Sequence, residues 1–343
     1  MTTNSSESGP NDMMNTLKII LAVAAMSFLP PSPALAADKV TLQLKWAVQA
    51  QFAGYLVAKE KGFYADEALD VSIMPGGPGI TPIDAVKSGK ADVVVEWMST
   101  TLAEREKGFA LVNIAQPFAY SGLMLTCLKS AGVFTPEDFP GKTLGVWFYG
   151  NEYPFFSWMN RLGLKTDGSP GSVKVLEQQF SVEPLLKGQA ACISTMTYNE
   201  YWQIIDAGVA AEDLVTFKYE DQGISLLEDG LYVDERRLAD PHFRDVMVRF
   251  VRASMKGWRH AEANASEVGK LMAEIDKSKP GDSEGQARMM RQIAQLTDGS
   301  SGALNPESFT RTVAVLAGKS SDTAKELYKG AWTDALTKLA LQP

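Results

Sequence analysis

Cysteine and histidine are nearly absent from this chain of 343 residues: Cys127, Cys192, His242 and His260 are the whole supply. Two cysteines so far apart make no metal-spacing motif, so no metal site is expected. So few histidines leave no plausible Ser-His-Asp arrangement. Basic runs are missing too. With 33 Lys and Arg against 41 Asp and Glu, the net charge of −8 argues against a nucleic-acid surface. The apolar run Leu17 to Leu29 is too short to cross a bilayer comfortably. A glycine-rich loop occurs at Pro75 to Gly79, but no Gly-Lys-Ser/Thr follows it, which excludes a P-loop. Internal repeats and low-complexity segments are lacking.

What is present reads as an ordinary globular protein, 45% hydrophobic and 22% charged, long enough for a sizeable core. Lys18, the apolar run and the small-residue site Ala34-Leu35-Ala36 together predict a cleaved export leader over residues 1–36. The polar residues before Met14 suit a leader poorly, and a start at Met13 or Met14 gives a conventional one. No cysteine follows the cleavage site, which favours a soluble exported chain over a lipid-anchored one. Outside the cytoplasm Cys127 and Cys192 can pair. Their apolar, strand-like surroundings favour two separate buried thiols.

The stretch Leu42 to Tyr64 organises the rest. A short alternating strand, Val40 to Leu44, leads through Trp46 and the polar run Gln49 to Gln51 into a helix bearing Phe52, Leu56 and Phe63. Further strands are predicted at Leu69–Met74, Ala91–Val95, Leu111–Ala115, Gly122–Leu128, Thr143–Trp147, Val173–Leu176, Ala191–Thr195 and Val215–Tyr219. Helical segments between most of them indicate an α/β sheet of the doubly wound, parallel or mixed type. Thr81 and Pro82 suit a helix cap and first turn. Crossings between lobes are placed at Gly122–Leu128 and Leu226–Leu231. These bound one lobe of residues 38–127 plus 228–343 and a second of residues 128–227, with a helical C-terminal region. Two crossings make a hinge.

Ligands of open α/β sheets bind beyond the carboxyl ends of strands. Four such ends carry unusual residues: Trp46 with Gln51; Glu96 and Trp97; Trp147, Tyr149, Asn151 and Glu152; and Tyr198, Asn199 and Glu200. Converging on one cleft, these aromatics and carboxylates suit a flat, nitrogen-rich ring. A carboxylate accepts charge-assisted bonds from an amino edge, and ring stacking adds about 0.5–1.5 kcal/mol per aromatic pair. Trp158 and Trp258 lie inside helices and are expected in the core. Asn199 and Glu200 serve equally well as helix-terminal groups.

A strand ending in Leu44-Lys45-Trp46, a polar loop, then Gly54-x-x-x-Ala58-x-x-x-Gly62-Phe63 resembles the opening of the thiamine-pyrimidine synthase/substrate-binding-protein family, over about residues 40 to 260. That resemblance implies a type II periplasmic-binding-protein fold. It also implies a periplasmic substrate-binding protein of an ABC importer, with a small heterocyclic ligand, an inner-membrane ABC permease as partner and no cofactor. A monomer is expected. The family's stacking Trp matches Trp46, and its amino-gripping Glu matches Glu200. A thiamine pyrimidine precursor is the first expectation for the ligand and a flavin the second; sulfonate and nitrate suit Glu96 and Glu200 less well.

Three other classes compete. The family's synthases consume an active-site His and use a Cys-rich iron segment. Here Gln49 or Gln51 stands where the His would be wanted, and Ala190 to Thr195 holds one cysteine, so no enzyme and no catalytic residue is expected. A tethered sensory domain fits the cleavable leader poorly. A glycosidase would need a spaced carboxylate pair, which Glu96 and Glu200 would meet only by chance.

Overall fold

Apolar runs of four to six residues, separated by helical segments, fold here into two sheets. The computed structural model describes residues 1–4, 36–224, 226–276, 281–297, 300–317 and 328–342. The leader expected over 1–36 lies, from residue 5 to residue 35, outside the described residues.

The strands are β1 (Asp38–Gln43), β2 (Leu69–Met74), β3 (Val93–Glu96), β4 (Leu111–Ala115), β5 (Leu123–Leu128), β6 (Thr143–Val146), β7 (Lys174–Glu177), β8 (Cys192–Met196), β9 (Leu214–Lys218) and β10 (Gly230–Asp234). The helices are α1 (Ala53–Glu60), α2 (Phe63–Asp66), α3 (Pro82–Lys87), α4 (Met98–Glu106), α5 (Tyr153–Arg161), α6 (Glu183–Leu186), α7 (Glu200–Asp206), α8 (Pro241–Ala263), α9 (Ala265–Ile275), α10 (Ser283–Leu296), α11 (Pro306–Ala317) and α12 (Ala335–Ala340).

One sheet has the order β2-β1-β3-β10-β4 and the other β7-β6-β8-β5-β9. In the first, β1 is parallel to β2 and β3, while β10 opposes β3 and β4. The second repeats the pattern, with β6 parallel to β7 and β8 and β5 opposed to β8 and β9. Each sheet thus has a single opposed strand, and that strand receives a crossing: β5 after the first, β10 after the second. Strands β3, β4, β8 and β10 are buried along their whole length and read as continuous apolar runs with few polar breaks. Edge strand β2 alternates instead, turning Asp70 and Ser72 outward.

The first crossing lies earlier than expected. Strand β5 pairs on both sides, with β8 and β9, so it is a central strand of the second sheet and not a linker. Connection 116–122 between β4 and β5 is the first crossing, and Cys127 belongs with the second lobe. The second crossing runs from Tyr219 to Asp229.

The chain signature around Gly54 has a packing cause. Helix α8, 23 residues long, lies across α1. A Cβ on Gly54 would meet the Trp258 ring at 2.2 Å, and one on Gly257 would meet the Gly54 carbonyl at 2.0 Å. Gly54 and Ala58 therefore form a small-residue seat for α8, and Gly62 ends α1 with a φ of 75°. Phe243, Val246, Val248, Phe250, Val251 and Met255 of α8 are buried, as is Trp258; so is Trp158 in the other lobe. The cap expected at Thr81 is not made: its side chain takes no bond from α3, and Pro82 alone shapes that first turn.

Cys127 and Cys192 sit directly opposite one another on β5 and β8 and are joined by a disulfide, which corrects the expectation of two separate thiols. Apolar strand surroundings bury a bridge as readily as a thiol, and the cross-strand register that brings the two together is invisible in the sequence. With the cysteines 65 residues apart, replacing both by Ser should lower stability by about 2–4 kcal/mol. The fall should appear in the guanidinium midpoint at an unchanged slope; an unmoved midpoint contradicts it.

Candidate functional site

The parallel strands of both sheets send their carboxyl ends to one cleft. Its walls come from the segment after β1 (Lys45, Trp46, Gln49, Gln51), the loop after β2 (Gly77 to Pro82) and Trp97 after β3. The second lobe adds Trp147, Tyr149 and Asn151 after β6, Phe180 after β7, and Tyr198, Asn199 and Glu200 after β8, with Met196 at that strand's end.

Most of the residues picked from sequence meet here. Trp46, Gln51, Trp97, Trp147, Tyr149, Asn151, Tyr198, Asn199 and Glu200 all line the cleft. Two do not. Glu96 is 1% exposed and lies beneath the wall, where it pairs with Lys45 Nζ and accepts the Trp97 backbone N–H at 2.8 Å. As the last residue of β3 it is covered by its own sheet, so a charge there needs a buried partner. Glu152 turns back to accept the Gly150 N–H at 2.8 Å and orders its own turn.

Lys45 and Phe180 were not singled out in the sequence. Lys45 Nζ stands 5.0 Å above the Trp97 ring, so the cleft does contain a cation, neutralised by Glu96. Phe180, 38% exposed, meets Trp46 across the cleft with ring centroids 3.8 Å apart and planes at 42°. Its place just after a predicted strand, Val173–Leu176, was the available signal.

Polar side chains of the wall are held firmly. Glu200 Oε2 accepts the Met196 N–H at 3.0 Å and its Oε1 the Asn199 side-chain amide at 2.7 Å. Asn151 donates to the Phe148 carbonyl at 3.0 Å. Behind the first lobe's wall, Asp229 accepts from Gln51 Nε2 at 2.6 Å and from Trp97 Nε1 at 3.1 Å. Burial pushes its carboxyl up to about 6, opposed by the Gln51 bond and Lys45 and reinforced by Glu96. Burial likewise drives the Tyr198 phenol up, helped by Asp229, Glu228 and Glu200.

The lobes also touch away from the rings. Thr100 Oγ1 on α4 donates to the Gly150 carbonyl at 3.0 Å. Arg288 on α10 pairs with Asp206 and lies 4.9 Å from the Trp202 ring. Tyr149, 78% exposed, holds a φ of 64°, so the turn that carries Gly150 to Thr100 is backbone-strained at that residue.

The arrangement has the architecture of a known class. A Candida albicans protein described as exhibiting the generic periplasmic binding protein fold superposes with a TM-score of 0.61, over 88% of this chain and 97% of that one, at 13% identity. A protein from Bordetella bronchiseptica RB50 gives a TM-score of 0.69, over 89% and 98%, at 21% identity. This chain has the periplasmic-binding-protein fold. Residues 49–268 match the model of the NMT1/THI5-like family, and the chain belongs to that family. Among its relatives, a Haemophilus influenzae protein named for thiamine biosynthesis is 24% identical over 61% of this chain and 65% of its own length. The formylaminopyrimidine-binding protein of Halalkalibacterium halodurans is 26% identical over 74% of this chain and 78% of its own. A 4-amino-5-hydroxymethyl-2-methylpyrimidine phosphate synthase of Legionella pneumophila is 30% identical over 32% of this chain and 34% of its own. The alignments therefore span from a third to just over three quarters of these relatives.

A Cβ on Gly150 would lie 2.5 Å from Thr100 Oγ1. Gly150→Ala should therefore part the lobes and cost about 1–3 kcal/mol of stability. Thr100→Ala in the same chain should return part of that loss, because the clashing atom is gone. Thermal midpoints and the radius of gyration from X-ray scattering check both; a G150A chain as stable as wild type contradicts the contact.

Proposed function

We propose that this protein is the periplasmic substrate-binding component of an ABC importer. Its ligand is a small planar heterocycle, a thiamine pyrimidine precursor before a flavin. One observation carries the reading: Trp46 from one lobe and Glu200 from the other line the same cleft. A ring stacked on Trp46 can present an amino edge to Glu200, so both lobes hold one ligand. Closure then follows from differential contact, since only the closed state makes both sets of bonds. An inner-membrane permease is the partner that would read the closed form.

The charges of the wall agree with a neutral, N–H-rich ligand. Lys45 is already paired with Glu96, while Glu200 in the wall and Asp229 behind it put the cleft on the acidic side. The name of the formylaminopyrimidine-binding relative supports the same ligand class.

The synthase reading finds no support in the residues it requires. His242 bonds Asp38 at 2.9 Å and His260 faces Glu267 at 3.3 Å, both outside the cleft walls. Cys192 is held in the disulfide. Among the described residues, no group of three or more His, Cys, Asp or Glu side chains is arranged to hold a metal ion. Among them, too, no helix is long and apolar enough to cross a membrane.

Titration calorimetry with formylaminopyrimidine and with riboflavin tests the assignment. The pyrimidine should bind and release heat. Trp46→Ala should weaken it by about 2 kcal/mol, roughly thirtyfold, through lost stacking and burial. Binding of riboflavin alone would move the assignment to flavins, and no binding of either would overturn the ligand class.

A further inference from the structure

Both hinge crossings are tied together by one dipeptide that also reaches the cleft. Glu228 and Asp229 end the second crossing, and each is 2% exposed. The Glu228 carboxylate takes the Ser121 hydroxyl on Oε1 and the Gly122 N–H on Oε2 at 2.9 Å, both from the first crossing. Its backbone carbonyl accepts from Gln116 Nε2, which also bonds the Phe118 carbonyl at 3.0 Å. The next residue faces the other way. Asp229 grips Gln51 and Trp97, two side chains of the cleft wall, and Gln51 in turn accepts from Gln49 at 2.7 Å. Asp229 holds a φ of 45°, unusual for a non-glycine residue. That backbone twist directs the two neighbouring carboxylates to different partners.

We propose that Glu228 and Asp229 are positioning residues that couple the hinge to the binding cleft. Glu228 fixes the relation between the two crossings, and Asp229 converts it into the placement of Gln51 and Trp97. The effect on ligand binding rests on the function proposed above; the coupling itself does not. Neither carboxylate is among the cleft walls, so they act through Gln51 and Trp97.

The pair is also proton-sensitive. Burial pushes Glu228 up to about 8, opposed by Ser121 and Gly122 and reinforced by Asp229 and Glu220. Asp229 titrates lower, near 6. Lys45 is the cation facing the pair; Glu96, Glu220 and the phenols of Tyr55, Tyr198 and Tyr232 are the other titratable groups around it. Between a carboxylate's ordinary pKa and about 8, folded Glu228 keeps a proton that the unfolded chain releases. Stability contributed by this group therefore falls as pH rises through that window.

The Trp97 indole N–H reports the coupling without any ligand. In a ¹⁵N-indole-labelled chain, with its resonance assigned by Trp97→Phe, the peak should move with pH in two steps. Asp229→Asn should remove the step near 6. Glu228→Gln should remove the step near 8, although Glu228 does not touch Trp97. It should also flatten the pH dependence of the denaturation midpoint, and it should weaken formylaminopyrimidine about tenfold, as expected for a lost buried hydrogen bond. Ser121→Ala, which removes the same bond from the other crossing, should displace the upper step and serves if Glu228→Gln folds poorly. A Trp97 titration unchanged in both Glu228→Gln and Ser121→Ala would overturn the coupling. Failure of wild type to bind the pyrimidine, with the indole steps behaving as described, would overturn only the ligand.

Discussion

Strand direction is the constraint on which this molecule depends. In each sheet the parallel strands are joined by helical connections, and their side-chain-bearing carboxyl ends must all emerge at one edge. The two sheets share this plan, and the crossings leave from β4 and β9 at the same edge. Cleft and hinge are therefore neighbours by topology. Six strand ends reach one cleft without any of those strands being long: β1, β2, β3, β6, β7 and β8. An opposed strand at each crossing, β5 or β10, then locks the connection into a sheet interior. A crossing anchored on both sides by ladders bends only over its few free residues, which is what a hinge requires.

Electrostatics divides the cleft into layers. The outer layer is aromatic and partly exposed, with Trp46, Phe180 and Tyr149. The inner layer holds charges that are nearly all satisfied within the protein: Lys45 by Glu96, Asp229 by Gln51 and Trp97, Glu200 by Met196 and Asn199. Buried charges persist only with such partners. A consequence for recognition is that the wall is preorganised, so little reorganisation opposes a ligand that matches it.

Much of this was legible in the sequence because strands buried on both faces show as short apolar runs, and aromatic residues just after them stand out. Trp46, Trp97, Trp147 and Tyr198 were found that way and line the cleft. Glu96 was misread because a carboxylate ending a strand looks the same whether it faces a ligand or a buried lysine. The lysine, one residue before Trp46, lay in plain view and gave no signal of its own. Phe180 drew no notice because β7, an edge strand with exposed ends, gives a shorter apolar run than the buried strands. The Gly54, Ala58 and Gly62 pattern that marked the family proved to be a seat for α8, which no local reading can reveal, since the partner lies some two hundred residues away.

Contacts between the lobes bear on how closure is driven. Trp46 with Phe180, Thr100 with Gly150 and Arg288 with Asp206 join the two halves through protein groups alone. Each is individually worth little: a ring pair about 0.5–1.5 kcal/mol, an exposed ion pair less. Together they favour the joined arrangement only modestly. A ligand shifts such a balance by its difference in affinity between the two states and not by its total binding strength. Phe180 sharpens the point. Its ring packs against Trp46 with the planes at 42°, so any group that stacks on that same face of Trp46 must displace Phe180.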